Sequence, residues 1–336
     1  MKISAYFKPK TLVYTGSFAH ITTEIKHWQY KSDKFELVEG FEFDNDMKHY
    51  VQVVGLADVK KIQGIRENLA IDPLVMEDVF NVNQRNKFEL KENYIFGTFS
   101  LSYLENDVIK NDYMSIIMFS NVIISFHETE PTYLRHLTPL FSEHRELREL
   151  PVDYLFFQIM DIITDEHLEV YDTLNLSVND FEAQLLEKKS IEQEVFYNIR
   201  KQLLKLKNNV SPFAEQLEKV LSKKSDLFNT STSIFFDDLK DHLQRLDNRL
   251  NQSREITRNL LDLHMNNQST KMNKIMATLT VFSATFIPLS FLTGFFGMNF
   301  VHFGVLQYES AIFIFSGICV AIAIGMVVFF KKRSWL

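Results

Sequence analysis

The chain has 336 residues, 46% of them hydrophobic and 24% charged, which excludes a disordered or collagen-like protein and predicts more than one structural unit. Its single cysteine excludes a disulfide framework and a paired-cysteine metal or redox site. The net charge is −7, and because residues 275–336 carry three cations and one anion, residues 1–274 carry −9. Nucleic acid is therefore excluded as the expected partner, since phosphate binding needs a basic face.

Residues 1–150 are predicted to form an α/β domain with a mixed sheet. Five runs rich in β-branched and aromatic residues are predicted strands, at 2–7, 35–38, 50–54, 94–99 and 122–126. Asp58 is predicted to lie at the start of one helix, and Asp72 with Pro73 to start another. The usual nucleotide-binding and serine-hydrolase motifs are absent from the sequence, and we do not expect an enzyme.

Residues 151–274 are predicted to form long helices. Ser190 and Gln193 form a capping box that predicts the start of one of them. A last helix follows residues 228–231, and seven of its residues recur in alternate steps of four and three, as in a partly polar coiled-coil seam: Leu239, Leu243, Leu246, Leu250, Ser253, Thr257 and Leu260. Neither Pro nor Gly occurs in residues 231–286, so this helix is predicted to continue into the next segment. So long a rod needs packing partners.

Two uncharged stretches, residues 275–296 and 311–330, are predicted to cross a membrane, because a bilayer core of ~30 Å takes about 20 helical residues. The alternative, two buried helices of a soluble protein, is disfavoured because such helices rarely run so far without a charge. Basic residues precede the first stretch and occur in the tail 331–336, whereas the loop 297–310 contains no Lys or Arg. The positive-inside rule then predicts cytoplasmic N- and C-termini and an external loop.

The first span is the more polar one, with six hydroxyl side chains against one in the second. A face of this helix, which we call the 273–297 face, mixes apolar and small polar positions: Asn273, Met276, Leu279, Ser283, Ile287, Ser290, Gly294 and Gly297. The hydroxyls have two interpretations. They bond to carbonyls of their own helix or pack helices together, or the face lines a pore built from several copies, in which the apolar members gate by excluding water.

The sequence Gly297-Met298-Asn299-Phe300 stands at the outer end of this span, and with its surroundings it resembles the CorA family of magnesium channels. The resemblance includes Pro288-Leu289 and Thr293-Gly294 within the span, and the basic terminal sequence 331–336. It also includes residues 77–85, EDVFNVNQR, far upstream. It therefore covers the chain from about residue 70 to the end.

The resemblance implies a homopentamer in the cell (inner) membrane, with a funnel-shaped cytoplasmic domain, pore-lining first spans and an outer ring of second spans. Mg²⁺ would be the transported ion, with Co²⁺ and Ni²⁺ as further candidates, and no organic cofactor is expected. A ring of Asn299 amides, beside Gly297 and Met298, suits an ion that dehydrates reluctantly, because amides bond to its waters without stripping them. Four further residues match positions where the family lines its pore: Asn273, Met276, Leu279 and Ser290. Ile287 takes a position that is also expected to be apolar, and Ser283 is assigned to the pore from the 273–297 face.

The resemblance also implies regulatory metal sites between subunits, through which intracellular Mg²⁺ would close the channel. Asp78 is expected to face Asp238 of a neighbouring subunit, with Glu77 and Asp165 as further ligands. A divalent cation would remove the repulsion between these acidic surfaces and hold the ring closed. Without the resemblance, each carboxylate is more simply a solvated surface group.

The loop departs from the family pattern, in which an acidic residue often follows the asparagine closely. Here residues 301–306 contain none, and Glu309 is the only carboxylate of the loop, which weakens cation attraction at the mouth. His302 would suit zinc, although an exposed loop histidine is more often without such a role.

Two alternatives therefore stay open: a zinc transporter of the same fold, and a membrane-anchored sensor whose coiled coil relays a signal. An anchor, however, needs neither a polar span nor the Gly-Met-Asn sequence.

Overall fold

The computed structural model describes residues 12–82, 84–187, 193–298, 304, 308 and 310–333. The predicted strand at 2–7 and Ser190 of the predicted capping box lie outside these residues. The chain divides into two compact units, one formed by Met1–Gln184 with Ser190–Thr257 and the other by Leu185–Lys189 with Arg258–Leu336.

The first unit contains a seven-stranded mixed sheet. Its strands are β1 (Glu24–Lys31), β2 (Lys34–Val38), β3 (Lys48–Val54), β4 (Lys87–Leu90), β5 (Ile95–Glu105), β6 (Val108–Met118) and β7 (Val122–His127). They lie in the order β2-β1-β3-β7-β6-β5-β4, in which β3 and β7 are parallel and all other neighbours antiparallel. The mixed sheet is confirmed, and β2, β3, β5 and β7 match predicted strands. The sequence analysis missed β1, β4 and β6.

One face of the sheet is covered by α1 (Val59–Leu69) and α2 (Pro73–Phe80), which share a buried core with alternate residues of the central strands. Both predicted helix starts are confirmed. The Asp58 carboxylate accepts a hydrogen bond from the Lys61 N–H (3.1 Å), and that of Asp72 from the Leu74 N–H (2.9 Å). Each side chain therefore caps backbone donors that have no partner within the helix.

The other face packs against α3 (Leu137–Glu143), α4 (Arg145–Glu149), α5 (Val152–Leu186), α6 (Gln193–Leu221) and the first part of α7 (Ser233–Phe296). Buried Asp153, near the start of α5, accepts hydrogen bonds from the Asn229 N–H (2.6 Å) and the Thr232 hydroxyl (2.5 Å). These bonds fix the segment that leads into α7 against the start of α5.

The predicted seam of α7 is buried within the chain itself. Its members from Leu239 to Thr257 are at most 3% exposed. Leu239 and Leu243 share a core with α5 and α6, and the Ser253 hydroxyl lies 3.1 Å from that of Tyr171 on α5. The partners that so long a helix needs are supplied here by the same chain, so the seam is no argument for an oligomer.

The second unit contains the rest of α7, from Arg258, and α8 (Ala311–Lys332). As the absence of Pro and Gly predicted, α7 is continuous for 64 residues, and Pro288 lies inside it. Both helices contain a stretch long and apolar enough to cross a membrane. The rings of Phe296 and Phe315 lie 5.2 Å apart, so the two helices contact each other next to the loop that connects them.

Candidate ion pathway and acidic sites

The hydroxyls of the first apolar stretch fall into two groups. Four threonines donate to carbonyls one turn earlier in their own helix, at 2.8–3.0 Å: Thr278, Thr280, Thr285 and Thr293. For Ser283 and Ser290 the described structure gives no such bond. The helix-bonded interpretation is therefore right for the threonines, and the two serines that keep hydroxyls for other partners are the two on the 273–297 face.

The 273–297 face carries no aromatic ring along its length, whereas phenylalanines flank it. With 3.6 residues per turn, Phe282 and Phe286 lie on one side, with rings 4.4 Å apart, and Phe291 and Phe295 on the other, 6.2 Å apart. Between them, Met276, Leu279 and Ile287 are each more than half exposed, as is Met298 at the end. Along the face Ile287 lies between the two serines, and Leu279 and Met276 precede Ser283; phenylalanine rings border the face on both sides.

Gly297 directly follows α7 and lies close to its last turn. Its N–H donates to the Thr293 carbonyl (3.0 Å), and a Cβ at this position would lie only 2.9 Å from the same oxygen. A larger residue would therefore have to shift the backbone, so this close approach requires glycine. Asn299, His302 and Glu309 lie outside the described residues.

Asp78 is already paired within its own chain. Its carboxylate lies 2.6 Å from the Lys87 ammonium and accepts a hydrogen bond from Gln84, and the Asp78 and Lys87 side chains are only 20% and 26% exposed. Lys87 also contacts Glu89 (2.9 Å), which pairs with Lys91 (2.8 Å). The sequence analysis missed Lys87, although it lies only nine residues after Asp78. Glu77, on the same helix, is exposed.

A second group of acidic residues lies on the neighbouring helices α5 and α7. Asp238 is 65% exposed, and its carboxylate lies 3.7 Å from the His242 ring. Partial burial raises the pKa of Asp161 on α5 to about 6, with Asp165 and Asp238 raising it further and His242 opposing them. The structure thus brings Asp165 and Asp238 into one electrostatic group, as two of the predicted ligands. It adds Asp161 and His242, which the sequence analysis missed although Asp161 lies one turn before Asp165.

Asp78 has no contact with Asp238 in the described part of the chain. Nor do any three His, Cys, Asp or Glu side chains among the described residues lie in an arrangement that holds a metal ion.

The second unit contains two helices long and apolar enough to cross a membrane, and the first of them carries the 273–297 face of apolar and small polar residues. The family model described as "CorA-like Mg2+ transporter protein" matches residues 54–332. The chain therefore belongs to this family of divalent metal transporters.

Similar proteins include magnesium and zinc transporters. Over 339 residues the chain is 26% identical to the cobalt/magnesium transport protein CorA of Thermotoga maritima, covering 98% of this chain and 96% of that protein. The complete structure of the CorA magnesium transporter from Methanocaldococcus jannaschii has the same fold, with a TM-score of 0.80 at 18% identity over 94% of this chain and 100% of that one. The zinc transport protein ZntB of Yersinia enterocolitica is 26% identical over 53% of this chain and 55% of its own length.

The acidic group generates a prediction about stability. The pKa of the Asp161 carboxyl is about 6 in the folded protein against 3.8 ordinarily, so its ionised form opposes folding above about pH 6 and has no effect below pH 4. Asp161→Asn should stabilise the protein at pH 8 by roughly 1 kcal/mol, a figure reduced for partial exposure, and change little at pH 4. The measurement is the thermal unfolding midpoint in metal-free buffer. Asp237→Asn, at an exposed neighbouring position, is the control; equal shifts at both pH values would contradict the account.

Proposed function

We propose that the chain forms a homopentameric channel in the cell (inner) membrane and conducts Mg²⁺ into the cell. Residues 275–296 line the pore, 297–310 form the external loop, 311–330 form an outer ring, and 1–274 with the tail 331–336 are cytoplasmic. One observation carries the proposal: on the 273–297 face, Ser283 and Ser290 keep hydroxyls that their own helix does not use. The family, the CorA relatives and the charge flanks of the spans support it; the number five rests on the resemblance alone.

The chemistry of Mg²⁺ explains why such a face suits a pore. The ion dehydrates reluctantly and prefers oxygen ligands in octahedral geometry, so a pore conducts it best with much of its water shell retained. Rings of Asn299, Ser290, Ser283 and Asn273 would bond to those waters without adding charge. Rings of Ile287, Leu279 and Met276 between them would close the pore by excluding water when it narrows.

Regulation is proposed to act through the acidic sites. A divalent cation between Asp78 of one subunit and Asp238 of the next, with Glu77 and Asp165 nearby, would hold the closed ring by binding it more tightly than the open one. Within the chain, however, Lys87 already neutralises Asp78. Bound Mg²⁺ would therefore have to displace this ammonium or share the carboxylate with it, which sets closure at a higher Mg²⁺ concentration than a free carboxylate would.

The proposed pore is tested at its mouth. Asn299→Ala removes the amide ring that orients the ion's water shell, and Mg²⁺ uptake into proteoliposomes should collapse while the pentamer persists. Asn299→Asp should also slow uptake, because clustered carboxylates hold the ion and conduction needs weak binding. Each variant is compared at matched protein content, and its oligomer mass is measured in mild detergent. Uptake at the wild-type rate through the alanine variant would show that selection occurs elsewhere.

The regulatory proposal is tested by freeing Asp78. Lys87→Gln should lower the internal Mg²⁺ concentration needed for closure roughly threefold to tenfold, the effect of removing one competing, partly buried charge. Asp78→Asn with Asp238→Asn should raise it. Lys91→Gln is the matched control, since Lys91 pairs with Glu89 in the same cluster. If both lysine variants close at the wild-type concentration, Asp78 does not bind the regulatory ion.

Zinc is the second candidate ion. The similarity to ZntB and the lack of a carboxylate in residues 301–306 favour it. The same uptake assay with Zn²⁺, Co²⁺ and Ni²⁺ in place of Mg²⁺ decides between the two. A membrane-anchored sensor would conduct none of these ions.

A further inference from the structure

Two buried histidines meet between strands β1 and β3 of the first unit. His27 and His49 are 2% and 0% exposed, and Nε2 of His27 lies 3.0 Å from Nδ1 of His49. The other nitrogen of each ring faces a backbone carbonyl, with His27 Nδ1 at 2.9 Å from the Gly40 oxygen and His49 Nε2 at 2.9 Å from the Asp44 oxygen. Both carbonyls belong to residues 39–47, the connection between β2 and β3, which we call the 39–47 loop.

A count of protons shows what these contacts need. A carbonyl oxygen only accepts hydrogen bonds, so each outer nitrogen must carry a proton. Two neutral imidazoles hold two protons in total, and both are then used. The inner nitrogens would face each other at 3.0 Å with a lone pair on each, an arrangement without attraction. Three hydrogen bonds require a third proton, shared between the rings, and a net charge of +1 on the pair.

The surroundings of the pair decide how many protons it takes. The pKa of each ring lies below its ordinary value, with burial as the largest cause; His49 also lowers the pKa of His27, so a second added proton is resisted. The bonds to Gly40 and Asp44 and the Asp44 carboxylate favour the charged form. The residues directly opposite the two histidines on neighbouring strands are uncharged: Val38 and Val51 opposite His27, and Val122 and Gln29 opposite His49. Among the described residues, the charges that act on the rings are Asp44 and the partner imidazole.

The composition of the loop also favours one added proton. It contains four carboxylates, Glu39, Glu42, Asp44 and Asp46, and no basic residue. A singly charged pair beneath it is therefore attracted to the loop as a whole, although exposed carboxylates contribute weakly because water screens them.

We propose that His27 and His49 form a binding site for one proton, shared between the two rings, that ties the 39–47 loop to the sheet. Loss of the proton leaves two donors for three contacts. Either the inner nitrogens then face each other with a lone pair on each and the rings move apart, or one ring carries its proton on the inner nitrogen and gives up its bond to a loop carbonyl; both weaken the attachment of the loop. Phe43 would be released with the loop: its ring packs against both imidazoles, with centroids 5.3 Å from each. Phe43 and Asn45 also line a cavity of about 670 Å³ with residues of the β4–β5 and β6–β7 turns and of the α6–α7 connection. Release of the loop would therefore open one wall of this cavity.

The test is hydrogen–deuterium exchange of the full-length protein in detergent between pH 5.5 and 8, with each rate divided by its intrinsic value at that pH. The amides of Asp46 and Met47 are hydrogen-bonded within the loop, so their exchange reports its opening. The inter-ring hydrogen bond forms only when the loop is closed, and the proposal requires this bond to outweigh the effect of burial on the pKa of the pair. Protection is then complete at low pH and falls as pH rises through the titration of the closed pair. We expect a fall of about tenfold, the effect of one hydrogen bond.

Two variants and a chelator make the result specific. His27→Asn keeps a donor for the Gly40 carbonyl and removes the shared proton, and His49→Gln does the same for Asp44, so protection in either variant should not change with pH. His20→Asn, at an exposed histidine of the same unit, should behave as the wild type. The proposal is overturned if wild-type protection is independent of pH or if both variants keep its pH dependence. It is equally overturned if EDTA abolishes that dependence, since a metal would then bridge the rings.

Discussion

A hydroxyl within a membrane-spanning helix has two possible kinds of hydrogen-bond partner: the carbonyl one turn earlier in the same helix, or a group outside the helix, such as another helix or water. Polar groups in a bilayer need hydrogen-bond partners, and a hydroxyl can find one in its own helix. A hydroxyl that donates its proton there is not available to donate to a group outside the helix. Four threonines of α7 take that course, and two serines do not. This division marks one face of an otherwise apolar helix, and the proposed ion pathway depends on that face.

In the first unit the candidate functional residues are carboxylates that are partly or fully exposed to water, not hydroxyls in an apolar helix. An exposed carboxylate alone contributes little to stability. The structure shows which carboxylates pair with a lysine and which lie among other carboxylates. Asp78 is held by Lys87, whereas Asp161, Asp165 and Asp238 share one basic neighbour, His242. In the proposed regulation, a divalent cation would reduce the repulsion within such a group. Competition with the Lys87 ammonium at Asp78 would raise the Mg²⁺ concentration at which the channel closes.

The sequence was sufficient for those elements whose pattern is local. Caps at Asp58 and Asp72, the unbroken course of α7 and both apolar stretches follow from residue type and spacing. Strand β1 was missed because its sequence, EIKHWQYK, has three charged residues and its inner face includes a histidine. Strand β6 was missed because the polar residues Lys110, Asn111 and Asp112 interrupt its apolar pattern after Val108 and Ile109.

Residues that depend on tertiary contacts were harder to predict. Periodicity showed that residues 239–257 form a seam, but it cannot show whether the partner is a second chain or, as here, α5 and α6. The pair of His27 and His49 was invisible for the same reason, because 22 residues separate its members and only the β1–β3 register brings them together. The candidate pore residues were predicted from a family resemblance and a helical face. The distinction between bonded threonines and free serines required the backbone.

The central claim is that the 273–297 face borders water while its aromatic flanks do not. Its most direct measurement is the reaction of a cationic, water-soluble thiol reagent with single cysteines introduced at Ser283, Ser290, Phe282 or Phe295, after Cys319 is replaced by alanine. If the face borders water, the cysteines at 283 and 290 react, Mg²⁺ slows their reaction and the modified protein no longer conducts. Reaction at 282 and 295 with none at 283 and 290 would contradict it.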